Sequence, residues 1–322
     1  MKCNLLSLAA LSPAAVWASC VPAPDHSCRL SKPELSCSSA AQPALVDSCC
    51  VETFGGLVLS TQFWDTYTGL ESAGQLLPKN SFTLHGLWPD FCNGSFTQYC
   101  DLSRQYDPHP SPNTTTGTAS GTPVPPYHGP TVDTFLAPFG ATGAALLRWM
   151  NKFWIAQNQP NTELWAHEFS KHATCFSTFS ESCFSKFQLQ KHTDLLEFFT
   201  VTAEYFKRLP TYDWLAAKGI TPSNTTSYSL SDIQGALAAR HGGVPFIGCS
   251  GPKYNETAAG KGSKDAGRTA LTEVWYYHHV FGPVQAGKAT PVGADINGGS
   301  TSTCAKADKA VWYYERSKGS EK

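Results

Sequence analysis

Residues 165–175 of this chain read Trp-Ala-His-Glu-Phe-Ser-Lys-His-Ala-Thr-Cys, and four ionisable side chains lie within six positions of this segment. A solvent-exposed helix face does not usually include Trp165, Phe169 and Cys175 among its charges. A core helix does not usually bury four ionisable groups, because each buried unpaired charge costs on the order of several kcal/mol. The composition of the segment therefore favours a functional site over a purely structural element.

The same segment predicts which of its side chains meet if it is helical. At about 100° per residue, Glu168 and His172 lie four residues and about 40° apart, on one face. Lys171 lies about 60° from Glu168, at the rim of that face, and His167 is aligned with Lys171 by the same four-residue rule. An imidazole, a carboxylate and an ammonium group can therefore converge on one small anionic group.

A zinc-protease motif begins at His167 and Glu168 but is not completed. That motif needs its second histidine four residues after the first, whereas His172 is five residues on, about 140° around the helix. Lys171 would also place a cation beside the metal. We therefore predict no metal ion and no other cofactor.

The composition allows a sizeable folded core but no broad cationic surface. The chain has 322 residues, of which 41% are hydrophobic and 15% charged, and its formal net charge is -1. This length suits one or two domains. Non-specific nucleic-acid binding through a wide basic face is not expected, so anion binding must come from a local cluster.

Residues 1–18 are predicted to be a secretory signal. Lys2 precedes an apolar stretch from Leu5 to Val16, which is followed by a small-x-small-like cleavage site ending at Ala18. No later stretch is long and apolar enough to span a membrane, and the C-terminus is polar. We expect residues 19–322 to form a single soluble domain that is secreted or held in a vacuole or lysosome.

Cysteine use agrees with an oxidising compartment. Apart from Cys3 in the leader, eleven cysteines remain, and in an exported chain these are expected to form disulfides. Because eleven is odd, one is free, intermolecular or removed with the leader, and Cys20, nearest the predicted cleavage site, is our choice. Four Asn-x-Ser/Thr sequons are compatible with glycosylation on exported loops. They are Asn93, Asn113, Asn224 and Asn255.

Hydrophobic periodicity and turn residues predict strands at both ends of the chain around a helical middle. The predicted strands are 54–64, 81–88, 244–249, 272–281 and 310–316. The predicted helices are 142–157, 163–173, 189–208, 213–218 and 231–240. Ser231 and Gln234 are predicted to form a capping box at the start of the last helix. This order predicts an α+β fold, in which a central, mainly antiparallel sheet packs with helices in a single disulfide-stapled domain.

Residues 103–131 contain seven prolines together with serine, threonine and glycine. Such a segment is expected to form a Pro/Thr-rich surface loop without a core role.

A second candidate segment, residues 82–90, reads Phe-Thr-Leu-His-Gly-Leu-Trp-Pro-Asp. A lone histidine in a strand is more often a satisfied core residue than a catalyst. Here Gly86 removes bulk beside His85, and Trp88 offers a stacking face before a predicted proline turn. These neighbours favour a site.

Residues 82–90 and 165–175 together resemble the paired active-site segments of the T2 ribonucleases, which are secreted or vacuolar acid endoribonucleases. The resemblance extends over about residues 28–316, including the adjacent Cys49 and Cys50. It implies a metal-independent endoribonuclease that cleaves single-stranded RNA with low base specificity, by transphosphorylation through a 2′,3′-cyclic phosphate.

The resemblance also implies a role for each ionisable group. In this chemistry a base takes the 2′-OH proton, an acid protonates the 5′-oxygen leaving group, and cations or donors hold the phosphorane charge. His172 is the implied general base and His85 the implied general acid, and the two labels can be exchanged because a sequence contains no geometry. Glu168 and Lys171 are implied to stabilise the pentacoordinate transition state, and His167 is implied to hold phosphate.

Four further residues are implied to bind the substrate bases. Trp88 and Asp90 match positions that bind the base 5′ to the cut, by stacking and by hydrogen bonding. Phe96 stands where the family often has tyrosine, so stacking is kept and a hydroxyl is lost. Gln62, on the preceding strand, is a candidate for the base on the 3′ side.

The cysteine pattern of the family implies five disulfides and leaves Cys20 over. The implied pairs are Cys28–Cys50, Cys37–Cys92, Cys49–Cys183, Cys100–Cys175 and Cys249–Cys304.

The expected partner is single-stranded RNA, with no DNA and no membrane, and the expected state is a monomer. An alternative from another class is a secreted binding protein that keeps the fold and acts through non-catalytic contacts.

Overall fold

The computed structural model of the protein describes residue 28 and residues 31–115, 121–184, 190–251 and 267–322. The predicted signal segment, Cys20 and the sequon at Asn255 lie outside the described residues. Among the residues that are described, no helix is long and apolar enough to cross a membrane.

A six-stranded sheet organises the described residues. Its strands are β1 (Leu57–Phe63), β2 (Thr83–Asp90), β3 (Phe246–Ser250), β4 (Thr269–Val280), β5 (Ala289–Val292) and β6 (Val311–Trp312). The spatial order β2-β1-β4-β3 is antiparallel throughout, and β4 also pairs with β5 in antiparallel and with β6 in parallel orientation. The predicted strand 310–316 shortens to β6, and β5 has no counterpart among the sequence-based predictions.

Helices cover one face of this sheet. They are α1 (Gly140–Phe153), α2 (Asn161–Lys171), α3 (Thr193–Lys207), α4 (Thr211–Ala216) and α5 (Leu230–His241). Val58 and Leu87 pack with α1, α2 and α3 in the largest apolar cluster. Val274 and Tyr276 pack with α4 and α5 in a second cluster. The predicted α+β fold with a mainly antiparallel sheet is therefore confirmed.

The opposite face of the sheet carries a smaller cluster to which α1–α5 contribute no residue. Successive side chains of a strand point to opposite faces of the sheet. This smaller cluster therefore contains strand residues that alternate along the chain with the residues packed against the helices. It includes Leu59, Tyr277, Trp88 and Trp275. We call it the aromatic face, defined by these four residues.

Five disulfides join cysteines of the described residues, and they form the pairs implied by the family's cysteine pattern. They are Cys28–Cys50, Cys37–Cys92, Cys49–Cys183, Cys100–Cys175 and Cys249–Cys304. Cys100–Cys175 ties the loop after β2 to the segment that follows α2. The two halves of the candidate site, which lie on β2 and α2, are thereby linked covalently.

Two predictions about the ends of elements are wrong. Ser229 is the N-cap of α5, so Ser231 and Gln234 lie inside the helix and form no capping box. Strand β2 continues through Pro89 to Asp90. Because β2 is an outer strand, the missing N–H of a proline can face away from the ladder.

The loop at 103–131 is not the peripheral segment that its prolines predict. Arg104 and Asp107 are buried within it. Arg104 donates to the Asp194 carboxylate at 3.2 Å and so ties the loop to α3. The backbone N–H of Tyr106 donates to a serine of α2 at 2.8 Å. The expectation of no core role is wrong, because residues 104–107 pack against both helices.

Candidate active site

The strand side of the site is built on a β-bulge at His85. Thr61 of β1 pairs with Gly86 and the next residue of β1 pairs with Leu84, so His85 is the additional residue. A bulge leaves this residue out of the ladder and re-aims its side chain. Thr61 Oγ1 accepts the N–H of Gly86 at 3.0 Å. Trp154 Nε1 donates to the carbonyl oxygen of His85 at 2.8 Å, so side chains satisfy these backbone groups of the bulge.

The helix side of the site is the C-terminal end of α2. Helix α2 ends at Lys171, and His172 is its C-cap residue. The N–H of His172 donates to the carbonyl oxygen of Glu168 at 3.2 Å, so the helical turn extends far enough to keep these two side chains on one face. Trp165 and Phe169, both fully buried, anchor α2 in the core.

Glu168 joins the two sides. Its side chain is fully buried, Oε1 lies 3.5 Å from His85 Nε2, and Oε2 accepts a hydrogen bond from Trp88 Nε1 at 2.7 Å. Gly86 makes room for this contact, because a Cβ at that position would lie 1.8 Å from Glu168 Oε2. The absence of a side chain at Gly86, next to His85, therefore leaves the space that the Glu168 carboxylate occupies.

Trp88 lies between the two candidate acid-base histidines. Its ring stacks on His172 with centroids 4.9 Å apart and an interplanar angle of 19°. His85 meets the same indole edge-on at 4.7 Å. The other side of His85 stacks on Phe63 at 3.7 Å. Both imidazoles are thus held by aromatic contacts, and both of them contact the indole of Trp88.

His167 and Lys171 form the polar rim of the site. His167 Nδ1 lies 2.7 Å from Asp107 Oδ2, and its Nε2 lies 3.4 Å from Lys171 Nζ. Lys171 Nζ also donates to the carbonyl oxygen of Ser111 at 3.1 Å. Tyr99 OH donates to the same Asp107 oxygen at 3.0 Å. Sequence reasoning missed Asp107 and Tyr99, because they lie in or before a proline-rich loop with no local motif to mark them.

Burial sets the ionisation of this cluster. It raises the pKa of Glu168 to about 8, against the hydrogen bond from Trp88 and the charge of Lys171. It lowers the pKa values of His85 and His172 well below their usual range, and neighbouring cationic groups add to this effect. Burial also lowers the pKa of Lys171. Burial therefore disfavours charge of either sign in this cluster, and a bound anion would favour the protonated imidazoles.

Three side chains of α2 and its C-cap bring potential metal ligands together. One ligand atom from each of His167, Glu168 and His172 lies within 4.8 Å of the others. However, Nδ1 of His167 is bonded to Asp107, and the ammonium group of Lys171 lies 3.4 Å from the remaining ring nitrogen. A divalent cation at this point would be repelled by that ammonium group, so the donor set is better suited to an anion.

Asp90 and Phe96 lie together at the end of β2. They form an isolated antiparallel bridge, and the side chain of Phe96 is 63% exposed. Burial raises the pKa of Asp90 to about 7. An exposed ring thus stands next to a carboxyl group that is largely protonated at mildly acidic pH.

Gln62 is not at this site. It is fully buried, its amide nitrogen donates to the carbonyl oxygen of Leu209 at 2.9 Å, and its amide oxygen accepts from Thr211 Oγ1 at 2.7 Å. Because it pairs with Val274, it lies on the helix-covered face rather than the aromatic face. Gln62 therefore has no exposed surface in this structure with which to contact a base.

The three described sequons lie at the surface. Asn93, Asn113 and Asn224 are all exposed. Asn93 Oδ1 accepts from Ser95 Oγ at 2.6 Å, and Asn224 Nδ2 donates to Glu315 at 3.0 Å.

Comparison with known proteins identifies the family to which this chain belongs. Residues 55–289 match the model of the Ribonuclease T2 family. The chain is 36% identical over 268 residues to Ribonuclease Le2 of Lentinula edodes, which covers 82% of this chain and 89% of that protein. The crystal structure of Actibind, a T2 ribonuclease, superposes with a TM-score of 0.63 at 30% identity, covering 88% of this chain and 96% of that one. This chain belongs to the Ribonuclease T2 family.

Other relatives are longer than the matched region. A Ribonuclease T2-like protein of Aspergillus fumigatus is 36% identical over 273 residues, which cover 83% of this chain but 54% of that protein. For Ribonuclease T2-like 1-A of Candida albicans, with 33% identity over 290 residues, the corresponding shares are 90% and 60%. The chain therefore spans a little over half the length of these two relatives.

Proposed function

We propose that this protein is a metal-independent endoribonuclease that cleaves single-stranded RNA by transphosphorylation. One observation carries the proposal: His85 and His172 both contact the indole of Trp88, with the buried Glu168 bonded to that indole. Two imidazoles held apart on one rigid ring suit a reaction that needs a base and an acid at the same time.

In the proposed reaction His172 takes the proton of the 2′-OH, and the freed oxygen attacks the adjacent phosphorus. His85 gives a proton to the 5′-oxygen of the next nucleotide as that P–O bond breaks. The products are a 2′,3′-cyclic phosphate end and a free 5′-hydroxyl group. Exchange of protons with water resets both histidines, and no metal ion or external nucleophile is required.

Glu168, Lys171 and His167 are proposed to stabilise the pentacoordinate phosphorus. Glu168 Oε1 lies 3.5 Å from His85 Nε2, so these two groups can hold one proton between them. Because burial raises the pKa of Glu168 to about 8, its carboxyl group can donate to a phosphate oxygen at mildly acidic pH. The ammonium group of Lys171 and the ring of His167 would hold the remaining negative charge.

The base 5′ to the cut is proposed to lie against Phe96 and Asp90. The exposed ring of Phe96 offers a stacking surface that tolerates any base, which suits low base specificity. Asp90 would hydrogen-bond the base edge. Trp88 contributes less free surface than its sequence position implies, because His172 covers one of its faces. On the 3′ side we place Phe63 in the role expected of Gln62, because it stacks on His85.

The non-catalytic alternative receives no specific support from the structure. All five ionisable residues of the proposed machinery lie around one point, and each has a bonded or stacked partner. We propose, in addition, that the protein is exported as a monomer and that Asn93, Asn113 and Asn224 are its accessible glycosylation sites.

Cleavage in the presence of EDTA near pH 5 tests the activity. The protein is incubated with a single-stranded RNA, with DNA of the same sequence, and with the RNA carrying one 2′-deoxy nucleotide at a mapped cut. RNA should be cut to 2′,3′-cyclic ends, DNA should survive, and the deoxy position alone should become resistant. Intact RNA, or products without cyclic ends, would show that the proposed reaction is wrong.

A further inference from the structure

The carboxylate of Asp107 lies directly behind the imidazole of His167. Asp107 is 2% exposed, and its Oδ2 is 2.7 Å from His167 Nδ1. The same oxygen accepts from Tyr99 OH at 3.0 Å, and Oδ1 accepts from the backbone N–H of His109 at 2.8 Å. The carboxylate is therefore fixed by two partners other than the histidine.

This contact determines which ring nitrogen of His167 faces the site. A carboxylate accepts hydrogen bonds only, so Nδ1 must carry the proton and Nε2 must point the other way. Nε2 lies 3.4 Å from Lys171 Nζ, on the side where phosphate is proposed to bind. A second partner that fixes tautomer and ring orientation is a common device around functional histidines.

The charged and titratable groups around His167 come from two elements. From the chain between β2 and α1 come Tyr99 and Asp107. From α2 and its C-cap come Lys171 at 3.4 Å, His172, whose ring centroid is 6.3 Å away, and Glu168, which has an oxygen within 4.8 Å of a ring nitrogen of His167. Asp107 is the carboxylate that hydrogen-bonds Nδ1 of His167, so it is the group placed to balance a doubly protonated ring whose Nε2–H could donate to phosphate beside Lys171.

We propose that Asp107 is a positioning residue for the reaction, and that it presents Nε2 of His167 to the substrate phosphate. The inference rests on the proposed function, since it needs His167 to contact phosphate. It extends that function to the proline-rich loop, which supplies both this carboxylate and the Ser111 carbonyl that bonds Lys171. The phosphate-holding rim is thus assembled from α2 and the loop together.

Asp107→Asn, measured in the full chain, tests the proposal. The amide keeps the size of the side chain and can still accept from Nδ1, but the negative charge is lost. We expect kcat/KM on a dinucleotide to fall by about 10- to 100-fold, mainly through KM, with the alkaline limb of its pH profile moved to lower pH. Asp107→Glu should restore part of the loss. Imidazole ¹⁵N shifts of His167 should report a larger share of the Nε2–H tautomer in Asp107→Asn.

Asp101→Asn is the matched control. Asp101 precedes the same loop. Its carboxylate accepts hydrogen bonds from Arg104 Nε at 2.8 Å and from the backbone N–H of Ser103 at 3.0 Å, and neither partner belongs to the candidate site. It should leave the pH profile and the His167 tautomer unchanged. The proposal is overturned if Asp107→Asn keeps the wild-type profile and tautomer, or if Asp101→Asn changes them equally, since the effect would then be loop stability. His167→Phe distinguishes failure of this inference from failure of the proposed function. Near-normal activity in that variant would remove the proposed role of His167 itself.

Discussion

Replacing Gly86 by alanine adds one methyl group at the junction of the two halves of the site. The new Cβ would lie 1.8 Å from Glu168 Oε2 and 2.7 Å from Trp88 Nε1. To restore a 3.0 Å contact, the carboxylate has to retreat by about 1.2 Å, which breaks its 2.7 Å bond to the indole. The Glu168 side chain is fully buried against the core, so it has little room to move.

A displacement of about 1 Å in a catalytic group can cost about 100-fold in rate. We therefore expect Gly86→Ala to lower kcat/KM on RNA by about 100-fold, equivalent to about 2.7 kcal/mol of transition-state stabilisation. The fold should persist, because the position lies in a strand and does not need a positive φ. The assay is dinucleotide cleavage at pH 5, with far-UV circular dichroism and Tm measured alongside.

Two controls make this result specific. Gly235→Ala, in α5 where nothing lies within 4 Å of the added methyl group, should keep full activity and raise stability by about 1 kcal/mol. In a Glu168→Ala background, Gly86→Ala should add less than about fivefold, because the group it displaces is already gone. Activity of Gly86→Ala within a factor of three of wild type, or full additivity with Glu168→Ala, would refute the assigned contact.

Three further outcomes are expected. His85→Phe and His172→Phe should each lower the rate by about 100-fold or more with the fold unchanged, and near-normal activity in either would remove the acid-base assignment. Burial in the folded state raises the pKa of Glu197 to about 8, so the folded protein binds the carboxyl proton of Glu197 more tightly than the unfolded chain does. The free energy of unfolding contributed by this group therefore falls as pH rises from about 4.5 to 8. Glu197→Gln should accordingly gain Tm over wild type more at pH 8 than at pH 4.5, and an equal shift at both would contradict the linkage. Reduction should lower Tm strongly, because Cys49–Cys183 alone closes a separation of 134 residues, and an unchanged Tm would count against a stabilising role of the disulfides.

The spacing of residues within α2 was sufficient to predict the helix side of the site. Four-residue separation places Glu168 and His172 on one face wherever the helix lies, and the structure shows that arrangement. The second segment was also marked locally, because Gly86 removes bulk beside His85 and Trp88 adds an aromatic ring. The order of strands and helices also followed from hydrophobic periodicity, because periodicity depends only on residues that are close together in the sequence.

Contacts between distant segments were decided by the tertiary structure alone. Nothing near Asp107 in sequence marks it as the partner of His167, 60 residues later, because the pair forms only when the loop packs on α2. Gln62 appeared close to the site along the chain, but strand alternation turned it to the helix-covered face. The β-bulge next to Thr61, in which His85 is the one additional residue, likewise depends on how β1 and β2 pair. Local spacing determined which ionisable groups lie together on α2, and packing between distant segments determined which atoms of those groups contact β2 and the loop.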